Sequence, residues 1–292
     1  MIDLHMHSVH SDGTNTVIEL LQQAEKLKLD TISITDHETC KAHFELRNID
    51  VKKYYSGKII PGVEVKGFYK GRVIDILGYN IDIDKMEKWL TEFYENRTFE
   101  IVQTKYMNKY YEVCKKLGIK LTPREELEWN PKKEWASPFL HKEITKYEEN
   151  RGKIPNEAWD DFNTFRHCMC YNPESEFYID KSDDFPSLKT CIQSIKDAGG
   201  KAFLAHAYIY KWAKDKAAFI NDIIDNYGID GIECYYSQFT DEQTKYVLEL
   251  CKKKNLLMSG GSDYHGLNKK DISLGIGKGN LKIPNDIIVW NK

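Results

Sequence analysis

Apolar residues recur along this chain in two rhythms, one of strands and one of helices. Residues 2–7, IDLHMH, alternate apolar and polar positions and predict a strand. Thr16, with Glu19 three residues on, has the form of a capping box and opens a helix through VIELLQQAEKLKL. TISITDH follows as a β-branched strand, then a helical stretch over about residues 41–53. Two further strand-like runs, KIIPGVEVKGFY and RVIDILGYNI, are joined by the turn signal Lys70-Gly71. Late in the chain the alternation returns. A helix near 187–197 leads into the strand KAFLAHA, and a helix over about 217–227 into the strand GIECYY. Thr240 and Gln243 form a second capping-box pattern, and LLMSGGSDYHG closes as a strand. Repeated strand–helix units predict an α/β fold of parallel strands with helices outside them, in a barrel or an open sheet.

The middle breaks this rhythm. From about residue 85 to 185 the sequence is charged and rich in Tyr, Trp and Lys, with helical stretches and few strand signals. It reads as a helical insertion, so that residues 1–84 and 186–292 form one domain and 85–185 an inserted one.

Composition changes the picture in a few places. Hydrophobic residues make up 41% of 292, enough for one large domain or a barrel carrying an insertion. A formal net charge of −3 gives no general case for a nucleic-acid-binding surface, although a small basic mouth can coexist with an acidic exterior. No apolar run approaches the roughly 20 residues that span a bilayer. Nor does the N-terminus read as a signal peptide, since it goes straight into Asp3 and His5. Seven cysteines are an odd number without framework spacing, which predicts reduced thiols and a cytoplasmic protein. Cys168-Met169-Cys170 is too tight for a zinc-ribbon knuckle.

The unusual polar residues fall in one kind of place. His5 and His7 lie at i and i+2, so on a strand both rings point to one face. Asp12 follows in the next loop, Asp36-His37 ends the second strand, Glu64 lies in the third and His206 ends KAFLAHA. Asp263 and His265 end the last strand, again at i and i+2. In strand–helix architectures the carboxyl ends of the strands converge on one mouth. A lone buried histidine there is usually a hydrogen-bonded core residue. A whole set of His, Asp and Glu would be costly to bury without cations. The mixed imidazole and carboxylate set suits Zn, Mn or Fe, and its size implies more than one ion.

HMHSVHSDG, ISITDH, GVEV, ILGY, AGGKAFLAHA, GIECYYS and GGSDYHG, in this order, resemble the PHP (polymerase and histidinol phosphatase) family of metal-dependent phosphoesterases, in particular its stand-alone TrpH/YciV-like branch. The resemblance covers roughly residues 1–82 and 187–267. It implies a distorted seven-stranded βα (TIM-like) barrel holding two to three divalent metal ions. One ion would take His5, His7, Glu64 and Asp263. A second would take Asp12, His37 and His265, and a third would share Glu64 and take His206. Asp75 stands just before ILGY, where relatives usually present a histidine to the third ion. In the insertion, relatives often carry Arg-Pro-His near the substrate phosphate, and this chain has Ser137-Pro138-Phe139. His141, Lys142, Arg166 and His167 are the candidate substitutes, and the insertion is expected to cap the mouth and set substrate size.

The resemblance implies hydrolysis of a phosphomonoester or phosphodiester by a metal-bridging hydroxide, with a nucleotide or an oligonucleotide end as substrate. No side-chain nucleophile is required, so Ser8, Ser11 and the cysteines receive no catalytic role, while His37 or His265 are candidates to assist the leaving group. One rival is an amidohydrolase acting on C–N bonds, since His-x-His also opens those barrels; the terminal SDYH pair and the Asp12 loop favour the phosphoesterase. Another, suggested by Asp75 and Phe139, is a non-catalytic metal-dependent binding module. Histidinol phosphatase is a further alternative within the family.

Overall fold

The computed structural model describes residues 1–290. Its strands are β1 (Ile2–Asp3), β2 (Thr31–Ile32), β3 (Lys58–Ile59), β4 (Gly62–Tyr69), β5 (Arg72–Tyr79), β6 (Lys201–Leu204), β7 (Gly231–Tyr236) and β8 (Leu257–Gly261). Its α-helices are α1 (Val17–Lys26), α2 (Lys41–Arg47), α3 (Ile83–Tyr94), α4 (Phe99–Lys116), α5 (Ala136–Thr145), α6 (Asn156–Asp160), α7 (Phe162–Phe165), α8 (Leu188–Asp197), α9 (Lys216–Tyr227) and α10 (Asp241–Lys254). The chain divides into two compact units, residues 1–69, 73–92 and 185–292 in the first, 70–72 and 93–184 in the second.

The first unit is α/β. Its strands form two sheets, β1-β2-β3 and β4-β5-β6-β7-β8, rather than a plain seven-stranded set. The three-stranded sheet is parallel, with Ile2 opposite Thr31 and Thr31 opposite Lys58. In the larger sheet β6, β7 and β8 are parallel, but β5 runs antiparallel to β6. This departs from a uniformly parallel arrangement. β5 is the return arm of a hairpin whose turn residues Lys70 and Gly71 both adopt positive φ, so its direction is reversed before β6 is reached.

The first strands are shorter than their sequence pattern because the backbone changes partner. Beyond Asp3, Leu4 N–H donates to Gly260 O at 3.1 Å, and Met6 bridges Tyr264. Beyond Ile32, the extension of β2 reaches β4, with Glu64 N–H donating to Asp36 O at 3.2 Å and Glu38 N–H to Glu64 O at 2.9 Å.

Both predicted capping boxes form, Thr16 with Glu19 and Thr240 with Gln243. α1 buries Val17, Leu20, Leu21 and Ala24 against Ile32, Ile34 and Met6. At ~1.5–3 kcal/mol for each large aliphatic side chain removed from water, that face outweighs the cap in holding the helix. α2 stops at Arg47, short of the expected 53, and a separate 3-10 turn covers Val51–Lys53. In the second unit α4 to α7 enclose Tyr106, Met107, Tyr110, Leu140, Ile144, Phe165 and Phe177, a mainly helical body. α3 belongs to the first unit as far as Glu92.

Candidate metal centre

Strand geometry gathers the polar residues. Gly261 permits a close approach of two strands: a Cβ there would lie 2.3 Å from His5 Cβ and 2.4 Å from His5 N. His5 and His7 are wholly buried, and Glu64, His206, Asp263 and His265 nearly so. His206 (φ 29°) and Asp263 (φ 57°) hold left-handed backbone, which for a residue with a side chain stores on the order of 1–3 kcal/mol and is tolerated where surrounding contacts impose it.

Three groups of donors result: His5, His7, Glu64 and Asp263; His7, Asp12, His37 and His265; and His37, Glu64 and Asp75. In the first, His5 Nε2 lies 3.1 Å from Glu64 Oε2 and 3.4 Å from Asp263 Oδ1, while His7 Nε2 lies 3.2 and 3.4 Å from the same two oxygens. Ligands about 2.0–2.2 Å from a common tetrahedral or octahedral ion stand ~3.0–3.5 Å from each other. In the second group Asp12 Oδ1 is 3.2 Å from His265 Nε2 and 3.6 Å from His7 Nδ1, and Asp12 Oδ2 is 3.8 Å from His37 Nε2. His206 Nε2 sits 3.0 Å from Glu64 Oε1 and 4.0 Å from Asp75 Oδ2, beside the third group.

The donor set fits divalent cations. His7 Nε2 is buried and makes no hydrogen bond despite its two carboxylate neighbours, as a nitrogen does when its lone pair and theirs converge on one point. Asp75 Oδ1 and His206 Nδ1 are likewise buried without partners. Burial alone would lower the pKa of His5, yet the charges of Glu64, Glu233 and Asp263 hold it well above the ordinary imidazole range. Burial opposes protonation of His7 too, but its close contacts with the Asp263 and Glu64 carboxylates and the charge of Glu64 push it up to about 9. Glu64 and Asp263 are driven the other way: burial would raise them, and the imidazoles around them, with Lys269 beside Asp263, hold both well below the carboxylate range. In the absence of ions His5 and His7 thus serve as the cations that Glu64 and Asp263 face.

Sequence reasoning assigned no role to the groups that aim these ligands, and named only Asp36 among them. Glu233, wholly buried, accepts from His5 Nδ1 at 2.9 Å and from the His206 backbone N–H at 2.7 Å. His265 Nδ1 donates to Asp263 O at 2.9 Å, leaving Nε2 for Asp12. Tyr236 Oη and Lys269 Nζ donate to Asp263 Oδ2 at 2.8 and 2.5 Å, so Oδ1 is the oxygen left to the first group. Asp36 accepts from both Ser8 Oγ and Ser11 Oγ at 2.6 Å and fixes the loop that carries Asp12. Lys66 Nζ lies 3.1 Å from His37 Nδ1. Two signals were present: a single acid inside the apolar run GIECYY, and a lysine at i+2 from Glu64 on a strand.

The four insertion candidates all lie in the second unit. His141 Nε2 donates to Ala158 O and Trp159 O at 2.9 and 3.1 Å, and its ring packs against Phe162 and Phe165, so it is engaged within that unit. Arg166 lies over the rings of Phe162 and Tyr171 and donates to Asn163 Oδ1 at 3.3 Å. His167 meets Tyr171 edge-on, and Lys142 is exposed on α5. Among the described residues no cysteine joins a metal-capable group, and no helix is long and apolar enough to cross a membrane.

Comparison with known proteins bears directly on this centre. The PHP domain family matches residues 3–237. The 5'-3' exoribonuclease Rnm of Escherichia coli is 27% identical over 267 residues, 90% of this chain and 84% of the relative. Phosphoribosyl 1,2-cyclic phosphate 1,2-diphosphodiesterase of Eggerthella lenta is 24% identical, over 90% of this chain and 94% of its own. A solved structure from Bifidobacterium adolescentis, assigned to the metal-dependent phosphoesterases, superposes with a TM-score of 0.62 at 23% identity, covering 98% of this chain and 93% of that one. An amidohydrolase from Chromobacterium violaceum superposes with a TM-score of 0.63 at 20% identity, covering 98% and 92%. Two such differently labelled neighbours at these identities speak for the fold alone. The family match does more, because it runs from Asp3 through the strand of Glu233 and takes in His5, His7, Asp12, His37, Glu64 and His206: the chain belongs to the PHP domain family.

Proposed function

We propose that this chain is a metal-dependent phosphoesterase that hydrolyses a phosphodiester or phosphomonoester, with a nucleotide or the end of a short nucleic acid as substrate. The observation that carries the reading is the pair of adjacent donor groups that meet at His7, one of them wholly buried. The relatives' names support it: one is an exoribonuclease, another a cyclic-phosphate diphosphodiesterase. In this reading one divalent ion takes His5, His7, Glu64 and Asp263 and a second takes Asp12, His37 and His265, the metals being Mn, Fe or Zn. We read the two sheets as one distorted seven-stranded barrel, β3 and β4 being a single strand broken at Pro61. The backbone hydrogen bonds from Leu4 to Gly260 and from Glu64 to Asp36, which join the sheets at both margins, support it.

Divalent ions bound there would lower the pKa of water towards neutrality and neutralise charge on a phosphoryl group. The chain's own residues prepare that chemistry. Glu233 keeps a proton on His5 Nδ1, and Asp263 O keeps one on His265 Nδ1, so both Nε2 lone pairs face inward. Tyr236 and Lys269 fix the Asp263 carboxylate in one orientation. Ser8 and Ser11 spend their hydroxyls on Asp36, which leaves neither poised as a nucleophile. Asp12, the exposed member of the set, gives the second group its access to solvent and substrate.

The test is a reconstitution. Protein loaded with Mn, Fe or Zn in turn is assayed on a 5'-phosphorylated oligoribonucleotide, a cyclic phosphodiester and a phosphomonoester. Metal-dependent release of nucleotide or phosphate is expected. Hydrolysis of amide or amidine substrates with none of any phosphate ester would overturn the reading in favour of C–N chemistry.

A further inference from the structure

One side chain in the centre carries a fixed positive charge of its own and lies where the third donor group is built. Lys66 is two residues beyond Glu64 on β4, so both side chains leave the strand on the same face. Its Nζ lies 3.1 Å from His37 Nδ1 and donates to the two carboxylate oxygens of Glu38 at 3.3 and 3.4 Å. The Lys66 backbone N–H also donates to Glu38 Oε1 at 3.1 Å, so the lysine is held from both ends. His37 Nδ1, the nitrogen Lys66 engages, also faces Glu64 Oε2 at 3.4 Å, and His37, Glu64 and Asp75 make up the third group.

Two consequences follow. With the Nε2 lone pair of His37 turned towards Asp12 and the second group, the ring proton falls on Nδ1, which faces Glu64 Oε2, so the imidazole has no lone pair left for a third ion, and the ammonium 3.1 Å from Nδ1 occupies the ground beside it. Charge balance is also met from within. Glu38 and Asp75 add two carboxylates beside Glu64, and the ammonium offsets part of that charge; a further divalent ion would meet a fixed like charge at contact range. Asp75 Oδ1, buried and without a hydrogen-bond partner, is the oxygen such an ion would take if the ammonium were gone.

We propose that the Lys66 ammonium stands in for a third divalent ion, so that this chain binds two ions at a centre whose carboxylates and imidazoles would otherwise hold three. The inference rests on reading the centre as a metal site and is tested by counting ions rather than by turnover. Metal-free protein is titrated with Mn2+ by calorimetry, and bound metal is measured by elemental analysis after gel filtration. The parent and Lys66→Arg should each saturate at two ions per chain, and Lys66→Met at three. Parent crystals soaked in Mn2+ should show anomalous peaks at the first two groups and none between His37 and Asp75, a measurement that stands even if Lys66→Met does not fold. Three ions in the parent, or a folded Lys66→Met that still binds two, overturns the inference while leaving the phosphoesterase reading intact. Fewer than two ions in the parent overturns both.

Discussion

Glu233 offers a sharp test of how the centre is aimed. One carboxylate serves two donors: Oε1 accepts from His5 Nδ1 at 2.9 Å and Oε2 from the His206 backbone N–H at 2.7 Å. In Glu233→Gln the shape is kept, but one of these acceptors becomes an amide donor. If the amide oxygen stays on His206 N–H, the amide N–H faces His5 Nδ1 and forces that nitrogen to accept. The imidazole proton then moves to Nε2, the atom that faces Glu64 and Asp263 and would hold an ion. If the amide turns round, the backbone donor of His206 is left unpaired in a dry site, at about 1–3 kcal/mol. Either arrangement degrades metal binding, and loss of such a supporting partner typically costs about 10- to 100-fold in affinity, or ~1.4–2.7 kcal/mol. The assay is calorimetric titration of metal-free parent and variant with Mn2+, with circular dichroism to show that both are folded. Unchanged Mn2+ affinity in a folded Glu233→Gln would refute the claim that this carboxylate sets the His5 tautomer.

Four further outcomes are expected. Asp263→Asn and His7→Ala should each abolish turnover while the fold survives, as read by kcat/KM and by melting; unchanged kcat/KM in either would sink the proposed ligand set. Protein purified after supply of Mn, Fe and Zn should carry more than one divalent ion per chain by elemental analysis, and less than about one would count against a metal centre. Since metal-free His7 keeps its proton up to about pH 9 and an ion needs that lone pair, Mn2+ affinity should rise with pH between the ordinary imidazole value of 6.5 and about 9, with proton release visible by calorimetry in two buffers; a flat affinity across that window would contradict the geometry. Neutralising Lys142 or Arg166 should raise KM on the true substrate without lowering metal content, and silence of both would remove the second unit from substrate recognition.

Local signals carried the fold a long way. Capping boxes at Thr16 and Thr240 are confined to four residues each, so a sequence displays them in full, and both form. Strand lengths are a different matter. The run from Ile2 to His7 alternates as a strand should, yet its regular part ends at Asp3 because Leu4 and Met6 pair with a different neighbour, the segment of Gly260 and Tyr264. That switch depends on a partner more than two hundred residues away, and no local pattern encodes it. The reversal of β5 was closer to legible, since Lys70-Gly71 marked a tight turn and a hairpin cannot leave its second arm parallel to its first.

In the centre, legibility followed chemical rarity. Histidine is scarce enough that His5, His7, His37, His206 and His265 at strand ends stood out, and the structure places all of them within one set of short contacts with Glu64, Asp12 and Asp263. Their supporters were hidden because glutamate, lysine and tyrosine are common and act here by position. Glu233 differs from any surface acid only in facing inward between β6 and β8, which a period-two reading of GIECYY with known neighbours could have shown. Tyr236 at the end of β7 and Lys269 in the 3-10 turn Gly266–Lys269 beyond β8 converge on Asp263 Oδ2, a meeting of two separate segments at a residue with left-handed backbone. Lys66 is the instructive case. Read as a strand residue two beyond Glu64 it was bound to share that face, but its meaning depends on Glu38 and His37, which a separate strand delivers through the single bridge between His37 and Glu64. A cation set among ligands changes how many ions the ligands can take, so counting donors along a sequence overstates the metal content wherever the fold supplies a positive charge of its own.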